Sequence, residues 1–384
     1  MQLPQKHSAT GTTIFTVMSA LATTHNAINL SQGFPDFPID EQLGRYLYEA
    51  TLQGYNQYAP MPGLPILRQA ICNDFAKRYG VTIDADTEVT VTPGATYAIY
   101  TAFTSILQAG DEVIVLEPAY DSYIPNIETN GAIAVTVPLS APDFNVDWDR
   151  VKAAITSKTK AIIINTPHNP TGAVWNKEDW DKLAKLVRDT AIIILSDEVY
   201  EQLIFDGKQH YTVLQHDELR QRSFVLYSFG KVFHNTGWKM GYCIAPPELT
   251  TAFRRIHQFL CFSVNTPAQY SLAAYLSQPA LPPVSSLMQT KRDFFLNLLK
   301  ETPFTIYQPA SGSYFQTVNY NRISDMPDIE FAQWLTKEYG VATIPISAFY
   351  RDKKDDKLIR FCFAKKEETI TEAINRLAKL NATV

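Results

Sequence analysis

Two runs of nearly pure aliphatic residues, Ala161–Asn165 (AIIIN) and Ala191–Ser196 (AIIILS), constrain this chain most. With no polar alternation, such runs read as strands covered on both faces, the situation of a parallel sheet. Glu88–Thr92, Glu112–Leu116 and Ser223–Ser228 read the same way. Amphipathic segments lie between them. Asn176 is a cap residue for a helix in which Trp180, Leu183 and Val187 share one face. Asp147-Trp148-Asp149 opens a second helical stretch running to Ile155. Strand–helix alternation predicts the α/β class, with a mainly parallel sheet between two helical layers.

The pattern changes toward the C-terminus. A helical region rich in Leu and Phe surrounds Lys291–Leu299; short strands near Ser313–Val318 and Leu358–Phe363 follow, then a final helix from about Glu367. Pro279–Pro283 is a natural bend. A chain of 384 residues has room for two domains. We expect a large α/β domain over residues 41–278 and a smaller α+β domain over 279–384, with residues 1–40 forming an arm and part of the small domain.

Composition excludes several classes of function. A net charge of −5 offers no basic field for nucleic acid. Cys72, Cys243, Cys261 and Cys362 stand far apart beside apolar neighbours, so they read as reduced thiols and not as disulfides or a zinc site. No metal is expected. The opening MQLPQKHSATG lacks the apolar stretch of a signal peptide, and no run approaches the ~18 apolar residues of a membrane span. A cytoplasmic location is the expectation.

Ligands of open α/β sheets bind beyond the carboxyl ends of the strands, so the residues after each strand carry the functional reading. Glu88–Thr92 leads into Pro93-Gly94-Ala95-Thr96 and a helix-like run, Tyr97–Leu107, a candidate phosphate cradle. Glu112–Leu116 leads to Tyr120, an aromatic able to stack on a planar ring. Ala161–Asn165 leads into a turn with His168 and Asn169, whose amide can meet a ligand oxygen. Ala191–Ser196 leads to Asp197, where a buried carboxylate calls for something cationic opposite. Ser223–Ser228 leads to Lys231, with a second cation at Lys239. Singly, each has a plainer reading: a tight turn, a rim tyrosine, a turn histidine, a structural ion pair, a solvated lysine. Five successive strand ends bearing phosphate-binding, stacking, amide, anionic and amine groups point to one small planar anionic ligand with an aldehyde.

NPTG at Asn169–Gly172, SDEVY at Ser196–Tyr200 and SFGKVFHNTGWKMGY at Ser228–Tyr242 resemble the class I aminotransferases of the fold-type I pyridoxal-phosphate enzymes, over essentially the whole chain. NLSQGFPDF at Asn29–Phe37, NQYAPMPG at Asn56–Gly63 and SVNTPAQ at Ser263–Gln269 resemble the kynurenine and methionine aminotransferase branch. The resemblance implies pyridoxal 5'-phosphate as cofactor. It implies Lys231 as the Schiff-base lysine and later proton carrier, and Asp197 as partner of the pyridine nitrogen, with the depressed pKa of a paired carboxylate. Tyr200 and Asn169 would meet the ring oxygen, and Tyr120 the ring face. Gly94, Ala95, Thr96, Ser228 and Lys239 would hold the phosphate, with Tyr58 reaching in from a second subunit of a homodimer. Lys239 stands where many members carry arginine, and Gly230 where some carry serine. Arg360, alternating with apolar residues in LIRFCF, would grip the substrate α-carboxylate through two parallel hydrogen bonds. Gly33 would approach the same carboxylate.

The implied reaction is a two-stage transamination with ping-pong kinetics. Ile14, Phe15, Phe34 and Tyr58 are candidates for the side-chain pocket, which suits methionine or an aromatic amino acid better than a second carboxylate. An alternative on the same residues is a β-lyase that eliminates a thiol from cysteine conjugates. A non-catalytic cofactor-binding regulator needs a DNA-binding module, and the segment before Asn29 is too short for a helix-turn-helix.

Overall fold

The computed structural model describes residues 12–381, so the reading of the first eleven residues as a non-signal segment lies outside the described region. Seven strands build the large sheet: β1 Val89–Thr92, β2 Glu112–Glu117, β3 Ile133–Pro138, β4 Thr159–Asn165, β5 Ile193–Asp197, β6 Ser223–Ser228 and β7 Gly241–Ile244. Their order is β1-β7-β6-β5-β4-β2-β3. β7 runs antiparallel to both its neighbours, and the remaining pairs are parallel.

The aliphatic runs fill both faces. Ile114, Leu116, Ile162, Ile164 and Ile194 belong to the core on one side. Val113, Val115, Ala161, Ile163 and Leu195, the alternate residues, belong to the core on the other. Covered on both sides, these strands need no polar residues, which is why they read as continuous apolar runs. Helix Lys177–Val187 shows how the covering layer is fixed. Asn176 and Asp179 form a reciprocal capping box, and Trp180, Leu183 and Val187 are buried as the spacing predicts. The Trp180 indole N–H donates to the Tyr211 carbonyl at 2.7 Å, so the largest side chain of that face is buried without an orphan donor.

A third core forms around three antiparallel strands, β8 Phe315–Asn319, β9 Ile344–Pro345 and β10 Leu358–Cys362, in the order β9-β10-β8. Ile28–Asn29 pairs in parallel with Val341–Ala342, tying the N-terminal segment to this smaller layer. Helix Thr266–Leu276 ends and helix Val284–Leu299 begins on either side of the proline-rich bend. On these grounds we propose the division into residues 41–278 and 279–384, with residues 1–40 partly in the small domain.

Element ends shift by one or two residues from expectation, as helix and strand termini commonly do. The alternation expected around Arg360 holds for Leu358, which packs into a different core from Ile359, Phe361 and Phe363; Cys362 departs from it and joins those three. All four cysteines are free, three of them buried and Cys261 half-buried. Among the described residues no helix is long and apolar enough to cross a membrane.

Candidate active site

A cavity of about 380 Å³ opens beyond the carboxyl ends of β2, β4, β5 and β6, closed on its far side by Gly33, Phe315 and Arg360. Its walls bring together thirteen of the residues singled out in the sequence: Phe15, Gly33, Gly94, Ala95, Thr96, Tyr120, Asn169, Asp197, Tyr200, Ser228, Lys231, Lys239 and Arg360.

One end is built for an anion. Gly94 ends the turn after β1 at φ 88°, and helix Ala95–Ile106 starts there with no side-chain cap, leaving its first N–H groups for a ligand. Lys239, itself left-handed at φ 54°, brings its ammonium to 3.4 Å from where a Cβ on Gly94 would stand. The Lys239 turn sits against the helix start because Gly241 has no side chain; a Cβ there would lie 3.0 Å from the Ala95 nitrogen. A side chain at Gly230 would press to 2.9 Å from the Thr236 Cα, which accounts for the absence of serine.

The centre holds an acid and an amine. Asp197 ends β5 at 3% exposure. The cation expected opposite it is a phenol instead: the Tyr123 hydroxyl donates to Oδ2 at 2.5 Å. Burial, outweighing that bond and the more remote charge of Lys231, pushes the Asp197 carboxyl up to about 6. The expected depression is therefore reversed in the protein by itself, since a carboxylate withdrawn from water loses hydration that one neutral donor does not replace. Lys231 donates to the Gly33 carbonyl at 3.1 Å. Burial brings its amine down to about 8, assisted by Arg360 and Lys239 and opposed by Cys362 and Asp197. Tyr200 is buried, its pKa raised by desolvation, with its ring edge-on to Tyr314 at 5.1 Å.

The other end is a guanidinium without a carboxylate. Arg360 is 1% exposed and lies 3.8 Å above the Phe315 ring, with Phe15 and Phe349 nearby. It donates to Asn169 Oδ1 at 2.6 Å and to the Ser31 carbonyl at 2.7 Å, while Nε has no partner among the described residues. Desolvation lowers its pKa to about 10. A buried cation served only by neutral acceptors calls for an anion. Because the Asn169 oxygen is committed to Arg360, the group Asn169 offers a ligand is its amide N–H.

Two expected residues do not line this cavity, and Tyr58, expected from a second subunit, does not line it from its own chain. Ile14 packs against the large core, one helical step from Phe15. The Phe34 ring is 43% exposed and held under the Lys365 ammonium at 4.6 Å. Tyr58 is 83% exposed, with its ring edge 5.5 Å from Phe262. His168 is a buried turn residue, bonded to Thr171 at 2.7 Å and with its pKa lowered to about 4 by burial, as its turn position suggested. Sequence reasoning missed Tyr123, Tyr314 (which donates to the Gly33 carbonyl at 2.5 Å) and Phe315. Tyr123 stood three residues after Tyr120 and could have been weighed with it; nothing in the sequence placed β8 beneath Arg360.

A family model described as aminotransferase class I and II matches residues 25–377. Methionine aminotransferase of Escherichia coli is 48% identical, covering 96% of each chain. A probable N-succinyldiaminopimelate aminotransferase of Mycobacterium tuberculosis is 37% identical, also covering 96% of each. A solved E. coli structure reported with a methionine aminotransferase function superposes with a TM-score of 0.95 at 46% identity, covering 99% of this chain and 100% of that one.

Proposed function

This chain belongs to the class I and II aminotransferases, and on that premise we propose that it moves the α-amino group of methionine or an aromatic amino acid to a 2-oxo acid, using pyridoxal 5'-phosphate held at Lys231. The observation that carries the reading is the Lys231 amine, brought down to about 8, in one cavity with the buried carboxylate of Asp197 and the carboxylate-free guanidinium of Arg360.

The residues fit the cofactor. The uncapped helix start at Gly94, Ala95 and Thr96, with Ser228 and Lys239, would hold its phosphate. Asp197 would hold the proton of the pyridine nitrogen, a cationic partner that reverses the upward push on its carboxyl. Tyr200 and the Asn169 amide would meet the ring oxygen, and Tyr120 the ring face. When bound, pyridoxal phosphate supplies an aldehyde that condenses with amines and a ring that withdraws electrons from the substrate Cα. Arg360 orients the substrate by its carboxylate. Lys231 Nζ would take the proton from the substrate Cα and deliver it to the carbon that carries the cofactor aldehyde. An amine near 8 is partly unprotonated at neutral pH, which suits a base. Phe15 and Phe349 beside Arg360 keep water from the carboxylate clamp.

The choice of donor follows from charge. Among the described residues lining the cavity, the cations are Lys231, Lys239 and Arg360. Amine chemistry, phosphate and α-carboxylate use all three, so a second substrate carboxylate finds no partner. Asp121, also in the wall, repels one. Methionine should therefore turn over fast and aspartate slowly with a common oxo acid, read as kcat/KM. Fast aspartate and poor methionine turnover would overturn the proposed substrate class. Tyr58, Phe259 (86% exposed) and Phe262 form an apolar face that suits a second copy, in line with a homodimer completed by Tyr58.

A further inference from the structure

A larger recess lies elsewhere. A cleft of about 710 Å³ is walled by the end of helix Pro65–Tyr79, by residues of the 201–215 segment and by the 276–285 linker, and it shares no residue with the cavity around Lys231. Two buried polar atoms of its lining have no hydrogen-bond partner among the described residues: His210 Nδ1 and Gln278 Nε2. The His210 side chain is only 3% exposed, and its Nε2 stands 2.8 Å from Glu198 Oε2. Glu198 also accepts from Ser196 Oγ, the Val213 N–H and the Tyr227 hydroxyl, so it is an acceptor throughout and fixes the imidazole hydrogen on Nε2. That leaves Nδ1 as the unpartnered atom of a ring that belongs to the cleft lining.

Charge in the cleft is uneven. Arg78 is taken up by Asp74 at 2.5 Å and Glu201 at 2.7 Å. Lys77 and Lys208, exposed at the rim, meet a carbonyl at 3.5 Å and the Ser311 hydroxyl at 2.8 Å, and no carboxylate. Two exposed ammonium groups outside any close ion pair, one of them in the field of Asp206, stand at one cleft of a chain of net charge −5. Beside them, Leu281, Pro282, Pro283 and Val284 form an apolar wall.

We propose that this cleft is a second binding site, for a small organic carboxylate that carries an O–H or N–H donor on an apolar body. The carboxylate faces Lys77, Lys208 and the Gln278 amide, the donor meets His210 Nδ1, and the body lies on the proline wall. Since the linker leads directly into helix Val284–Leu299, an occupant touches both the large domain and the connection to the small one.

The test counts bound 3-(4-fluorophenyl)lactate by ¹⁹F NMR on the cofactor-loaded protein; this acid has no amine to transaminate. Two equivalents per chain are expected, one at Arg360 and one in the cleft. Lys77→Glu/Lys208→Glu, substitutions at exposed positions, should lose one equivalent and keep methionine turnover, whereas Arg360→Leu should lose the other. Gln278→Leu should weaken the cleft equivalent by about fivefold, the worth of one hydrogen bond. A single equivalent in the unaltered protein, or two that both survive the lysine replacements, would overturn the second site.

Discussion

Lys231 and Asp197 share a low-dielectric cavity, and desolvation moves them in opposite directions, each toward its neutral form. For Lys231 the amine falls from 10.5 to about 8. Capture of pyridoxal phosphate by cofactor-free protein should therefore quicken with pH and level off above about 8; acceleration continuing past pH 10 would mean an ordinary exposed lysine. The same shift makes native Lys231 bind fewer protons than the unfolded chain between about 8 and 10.5, so its contribution to stability rises with pH across that window. Asp197, raised from 3.8 to about 6, behaves oppositely: its contribution is complete below the unfolded value and is lost as pH rises through about 6. Arg360→Lys keeps a charge but loses the planar fork. With charge-assisted hydrogen bonds worth about 1.5–3 kcal/mol, the KM for methionine should rise on the order of 10- to 100-fold, measured in steady state. Lys231 and Asp197 were legible in the sequence because each stands at a strand end, and Arg360 because it is a lone cation within an apolar strand. Their protonation was not, because it depends on what encloses them: the depression expected for Asp197 presumed a cation that the chain alone does not supply.

At the scale of elements, helix Lys177–Val187 was readable from its cap to its buried face. Asn176→Ala removes half of its capping box and should cost about 1 kcal/mol in chemical denaturation, with methionine turnover unchanged. The five strands that carry the site were readable for a related reason, their enclosure on both faces. β3 was not: it is an edge strand of mixed burial, so its sequence IAVTVP is neither a continuous apolar run nor a clean alternation. β7 has only four residues and opens on Gly241, whose role is the close approach to the Gly94 turn; glycine there reads as loop until the partner backbone is known. The paired dipeptides Ile28–Asn29 and Val341–Ala342 are too short to show any periodicity.

The whole molecule has three cores, one on each face of the large sheet and one around the small sheet, with the cavity lined from both sheets. Arg360 hangs from the small sheet yet bonds Asn169 in the turn after β4 of the large sheet, and Lys231 bonds the carbonyl of Gly33 near the start of the chain. Such contacts join residues far apart in sequence, which is why the strand-end groups could be found singly while the Phe315 platform and the Tyr314 bond could not. They also mean that the chemistry depends on the large and small layers being assembled together. The most direct test follows the absorbance of the pyridoxal-phosphate-loaded protein after L-methionine is added without any oxo acid. Loss of the band of the lysine-bound cofactor, with growth of the pyridoxamine phosphate band and no such change in Lys231→Ala, is the predicted result. A band that methionine leaves unmoved, or an identical response in Lys231→Ala, would contradict it.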